Sequence, residues 1–137
     1  MTVPNTPPHI GAAHASRLRS VLRGLHVAQP DIEASAVISS DGLIVASVLG
    51  PGTDGDRYAA MCAALLALSE RASKEAQRGE LQMVLVQGDQ GAMLLVRAPD
   101  DQVLAVAASP RANLGMIFNQ TRKTAASLPS PGSAAGV

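Results

Sequence analysis

Two short stretches of this chain, Leu43-Ile44-Val45-Ala46 and Met93-Leu94-Leu95-Val96, are apolar at every position. Successive side chains of a strand point to opposite faces of its sheet, so strands of this kind need cover on both faces. The connections around them are short. Ser40-Asp41-Gly42 joins Ile32–Ser39 to Leu43–Leu49, Gly88-Asp89-Gln90-Gly91 joins Leu81–Gln87 to Ala92–Arg97, and Ala98-Pro99-Asp100-Asp101 leads into Gln102–Ala108. Links of this length reverse the chain, and Asp and Gly tolerate the positive φ of a tight turn, so a hairpin and a three-stranded antiparallel meander are predicted. Many antiparallel sheets give one face to water, but these residues exclude that arrangement.

The cover comes from three amphipathic segments. In 14–28, Leu18, Val21, Leu22 and Leu25 recur at helical spacing, with Arg17, Arg19 and Arg23 elsewhere. Asp56–Arg78 is the longest periodic segment and stops at Gly79, and Asn113–Leu128 stops at Pro129. The order αββαβββα describes an α+β (α/β) three-layer sandwich, with a five-stranded sheet between helices one and three on one face and the middle helix on the other. Five strands at ~4.8 Å make a sheet roughly 24 Å wide, and a helix covers about 10 Å, so one helix cannot close its face. A second copy across a two-fold axis supplies the missing cover, and a homodimer is expected.

On a helical wheel of the middle helix, Tyr58, Met61, Leu65, Leu68, Ala72 and Ala76 lie on the arc expected to face the sheet, with Ala59, Ala60, Ala63, Ala64 and Ala67 opposite. Small residues spaced by three and four let another helix approach closely; helix propensity alone is the other explanation for so many alanines. Farther along, Glu70, Arg71, Lys74 and Arg78 make the same side charged. The run Leu81-Gln82-Met83-Val84-Leu85-Val86 lacks Pro, Lys or any other edge-protecting residue, so at a sheet edge it is expected to pair with its symmetry mate.

Composition narrows the function classes. Of 137 residues, 47% are hydrophobic and 16% charged, which favours one buried core over a disordered chain. Eleven basic and eleven acidic side chains cancel, leaving no field to attract nucleic acid or an anionic membrane. Tyr58 and Phe118 are the sole aromatics, too few for a base-stacking platform. One cysteine, no signal-like N-terminus and no membrane-spanning run lead to the expectation of a cytoplasmic protein, with 1–11 and 129–137 as flexible tails around a domain at 12–128.

Several segments imitate chemical motifs. Gly50-Pro51-Gly52-Thr53-Asp54-Gly55 is formally G-x-G-x-x-G, but Pro51 lacks an amide hydrogen, Asp54 and Asp56 repel an anion, and the preceding strand belongs to a hairpin. It is expected to be a connecting loop in which Thr53 or Asp54 caps the next helix. The same acids lack the further oxygen ligands of a calcium loop. His9, His14 and His26 have no Cys, Asp or Glu at ligand spacing, and Cys62 has no neighbouring His, so no metal, cofactor or catalytic residue is assigned and no enzyme is expected.

The element order, the hairpin Val37-Ile38-Ser39-Ser40-Asp41-Gly42-Leu43-Ile44-Val45-Ala46-Ser47 and the third-helix start Ala112-Asn113-Leu114-Gly115-Met116 together resemble the Roadblock/LC7 family, in particular its bacterial members of the MglB kind, over residues 14 to 128. The resemblance implies a profilin-like fold and a non-enzymatic homodimer whose edge strands pair into one sheet. It also implies a platform for a Ras-like small GTPase of the MglA kind. The implied partner face is Ala60, Ala63, Ala64, Ala67, Arg71 and Lys74; the dimer interface is Ala59, Ala63, Gln82, Met83, Val84, Leu85 and Val86. The chain departs from some relatives at Pro129–Val137, which is uncharged where they continue into a partner-touching extension. Two other classes stay open: a small-ligand sensor of PAS or GAF type, which needs a cavity with convergent polar groups, and an adaptor subunit of a larger complex.

Overall fold

The computed structural model describes residues 8–131. Helix α1 (Pro8–Ala28) is followed by strands β1 (Ile32–Ile38) and β2 (Ile44–Val48), helix α2 (Gly55–Glu75), strands β3 (Val84–Gly88), β4 (Gly91–Arg97) and β5 (Val103–Ala108), and helix α3 (Leu114–Ala126). A short 3₁₀ turn, Pro99–Asp101, separates β4 from β5. The sheet order is β2-β1-β5-β4-β3, with every neighbouring pair antiparallel.

Several boundaries differ from expectation. Helix α1 takes in Pro8–Gly11, part of the expected N-terminal tail, because Pro suits a first helical turn whose amide hydrogens lack partners anyway. Residues 1–7 and 132–137 of the two expected tails lie outside the described residues. Pro129 is held in place, its carbonyl accepting a hydrogen bond from Gln102. Helix α2 ends at Glu75 rather than Arg78, since Gln77 turns left-handed at φ 59° ahead of Gly79.

Both faces of the sheet are covered, as the apolar run at 93–96 requires, whereas Leu43 of the run at 43–46 precedes β2 and is exposed. On one face Leu94, Val96, Leu104 and Val106 pack with Leu18, Leu22 and Leu25 of α1 and Ile117 and Ala125 of α3. On the other, Leu95, Val103, Ala105 and Ile38 pack with Ala59, Cys62 and Leu66 of α2. The two covers are unequal. Among the described residues fifteen are buried in the first cluster and seven in the second, so a single helix leaves its side of the sheet thinly packed.

Candidate interaction surface

The β1–β2 turn brings the sheet to α2. Ser39 N–H donates to Leu43 O at 2.8 Å, Gly42 N–H donates to Ser39 O at 2.9 Å, and Gly42 holds φ +83°. A Cβ at Gly42 would sit 3.4 Å from Ala63 Cβ, so the hairpin passes close to the helix. The segment 50–55 is a connection: Asp54 has extended φ/ψ and its Oδ1 accepts from Arg57 N–H at 3.2 Å, the cap expected there.

Ala59, Cys62 and Leu66 form the arc of α2 seated on the sheet. The expected orientation is therefore corrected at several positions. Met61 and Leu68 are 62% and 63% exposed instead of facing the sheet, and Ala72 and Ala76 are exposed too. Ala59 is wholly buried within the subunit, which removes its side chain from any interface. Side-chain size does not decide which arc of α2 turns inward. Here small Ala59 and Cys62 pack with Leu66 on Ile38, Leu95, Val103 and Ala105, and Met61 and Leu68 are turned away. Ala60, Ala64, Ala67, Arg71 and Lys74 are exposed as expected, and Ala63 is half-buried beside the hairpin. Met61, Ala64 and Leu68, at spacing i, i+3, i+7, make one apolar stripe with Ala60 beside it. That spacing was visible in the sequence.

Strand β3 lies at the sheet edge. It begins at Val84, so Gln82 and Met83 precede the strand instead of belonging to its paired edge. Leu85 pairs with Leu94, which faces α1 and α3, whereas Val84 and Val86 pair with Leu95 and Met93, which face α2. Leu85 and Val86 are nonetheless 42% and 41% exposed, so this edge is uncovered on both faces.

Beside the stripe, a cleft of about 290 Å³ is lined by Ser39, Ser40, Ala63, Ala67, Glu70 and Arg97. Arg97 spans it, donating from Nη2 to Glu70 of α2 and from Nη1 to Asp101 at 3.3 Å. These pairs are partly exposed and solvent-screened, so they position side chains more than they add stability.

The remaining reactive groups serve packing. His14 pairs with Gln102 at 3.0 Å and His26 with Ser35 at 2.9 Å, while the side chain of His9 lies outside the described residues. Burial pushes the Cys62 thiol above its ordinary value, opposed by its hydrogen bond with Tyr58, and burial raises the Tyr58 phenol. Among the described residues no group of three His, Cys, Asp or Glu could hold a metal, and no helix is long and apolar enough to cross a membrane.

The Roadblock/LC7 domain model matches residues 21–108. The chain belongs to the Roadblock/LC7 family. This Roadblock/LC7 domain is 35% identical over 86 residues to an uncharacterized protein of Methanocaldococcus jannaschii, the match covering 63% of the chain and 75% of that protein. The fold is shared with a Roadblock/LC7 domain from Streptomyces avermitilis, at TM-score 0.72 and 22% identity over 79% of this chain and 91% of that one. It is also shared with an MglB described as having a tetrameric arrangement, at TM-score 0.76 and 18% identity over 85% and 88% of the two chains. The match spans both apolar runs, both edge strands and the whole of α2.

Proposed function

We propose that this Roadblock/LC7 domain is a non-enzymatic cytoplasmic regulator or scaffold that dimerises through β3 and α2 and presents the joined α2 surface to a Ras-like small GTPase. The carrying observation is the coincidence of an edge strand open on both faces, at Leu85 and Val86, with an exposed apolar stripe, at Met61 and Leu68, on the thinly covered side of the same sheet. Antiparallel pairing of two β3 strands about a two-fold axis makes a continuous ten-stranded sheet from two five-stranded ones. It also brings two α2 helices side by side, where Ala60 and Ala64 permit close approach. Family membership and the self-association stated for the similar MglB support this reading.

The partner face is the charged remainder of the exposed arc, Arg71 and Lys74 with Ala67, beside the Glu70–Arg97 cleft. A platform of this kind acts by holding the GTPase's own catalytic groups, consistent with the packing roles of His14, His26 and Cys62. The test is size-exclusion chromatography of the chain with Ras-like GTPases loaded with GDP or a GTP analogue. Nucleotide-dependent co-elution is expected, and Arg71→Glu combined with Lys74→Glu should weaken it about tenfold or more while leaving the dimer intact. A GTPase that elutes separately in every nucleotide state, or a small molecule retained through purification instead, contradicts the proposal.

A further inference from the structure

Gln102 is 2% exposed, and its side-chain amide is engaged by three parts of the chain remote from one another in sequence. Its Oε1 accepts from Nε2 of His14 on α1 at 3.0 Å. Its Nε2 donates to the carbonyl of Pro99 at 3.0 Å and to that of Pro129, beyond α3, at 3.1 Å. Two backbone bonds close the same turn: Ala98 N–H donates to Gln102 O at 2.7 Å, and Gln102 N–H donates to Pro99 O at 3.3 Å. Within it Asp100 and Asp101 both adopt left-handed backbone, at φ 60° and 58°. One aspartate tolerates that region, but two in succession crowd Cβ against backbone, and such a turn persists where its surroundings hold it. Its outer end reaches α2, because Asp101 Oδ1 accepts from Arg97 Nη1 while Arg97 Nη2 donates to Glu70.

The geometry points to a conformational link in which the buried Gln102 amide ties the segment after α3 to this strained turn, so that the seating of Pro129 and the Arg97 fork on α2 are set together. Pulling Pro129 away leaves a Gln102 N–H without its acceptor and loosens the grip on Pro99. Asp100 and Asp101 can then leave the left-handed region, which takes the Asp101 carboxylate off Arg97 and frees the arginine at the cleft. The link is a regulation of the proposed partner face and rests on that reading for its use, but it operates within one subunit.

Hydrogen exchange of the full chain, with the Arg97 side-chain Nε–H followed by NMR, tests it without any partner. Gln102→Met keeps the volume and removes all three side-chain hydrogen bonds. Amides of Ala98 and Gln102 in the turn and of Leu128 after α3 should then exchange roughly five- to tenfold faster together, and the Arg97 signal should move toward that of a free arginine, with Val106 unchanged. Asp100→Gly, which relieves strain and carries no risk of core damage, should do the opposite and slow the Ala98 and Leu128 amides in parallel. Loosening of the turn with Leu128 or Arg97 unmoved in Gln102→Met overturns the link, as does an Asp100→Gly effect confined to the turn. Should Gln102→Met fail to fold, the Asp100→Gly result decides. Intact exchange responses in a chain that binds no GTPase would refute the proposed function and leave the link standing.

Discussion

At the scale of single residues, backbone geometry and burial assign specific costs. Gly91 holds φ +131°, and a Cβ there would run into the backbone carbonyl of Ala108 on the neighbouring strand. Gly91→Ala should therefore lower unfolding stability in urea by at least about 2 kcal/mol, whereas Gly24→Ala, in open space on α1, should be neutral or slightly stabilising. Burial holds the His26 imidazole below its ordinary 6.5. The unfolded chain thus takes up this proton first as pH falls, and stability present above pH 6.5 declines between that value and the lower folded one. The urea midpoint should rise with pH across that window, and His26→Gln should flatten the rise. Neither effect was legible in the sequence: His26 is one of three scattered histidines, and its Ser35 partner is set by the tertiary fold.

At the scale of elements, the most legible features were those whose chemistry is local. The apolar run at 93–96 specified two covered faces through strand periodicity, whereas Leu43 of the run at 43–46 precedes β2 and is exposed, and Asp54 marked the start of α2 through its own side chain. The orientation of α2 is not legible in the sequence, since size stands in poorly for burial where Ala59 and Cys62 pack with Val103, Ala105 and Leu95. Ala59 is buried against the sheet, contrary to the wheel, whereas Met61 and Leu68 are exposed. The candidate site is only half legible in the sequence, because the side chains that α2 exposes depend on helix rotation. Two variants follow. Leu68→Glu should leave the circular dichroism spectrum and urea midpoint of the subunit almost unchanged and weaken self-association by about tenfold or more. Leu85→Pro, which removes a main-chain donor that the hairpin register turns away from β4, should have the same effect on self-association; unchanged dimerisation in both would place the interface elsewhere.

At the scale of the whole molecule, a wide sheet has two helices over one face and one over the other; among the described residues four exposed large apolar side chains, Leu85 and Val86 on β3 and Met61 and Leu68 on α2, lie on the thinly covered side or its edge, and Val27, Leu43 and Met116 lie elsewhere. In the proposed dimer a second copy covers Leu85, Val86, Met61 and Leu68 at once through a single two-fold axis. The sequence carried this argument in outline through strand width and helix number. That β3 is one of the two edges is only conditional at that level, because strand order depends on the crossover that sets β5 between β1 and β4. Sedimentation equilibrium of the full chain tests the claim most directly. The account predicts twice the 14.0 kDa subunit mass down to low micromolar concentration, with Leu85→Lys shifting the population to single subunits. A wild-type species of one subunit mass at tens of micromolar would contradict it.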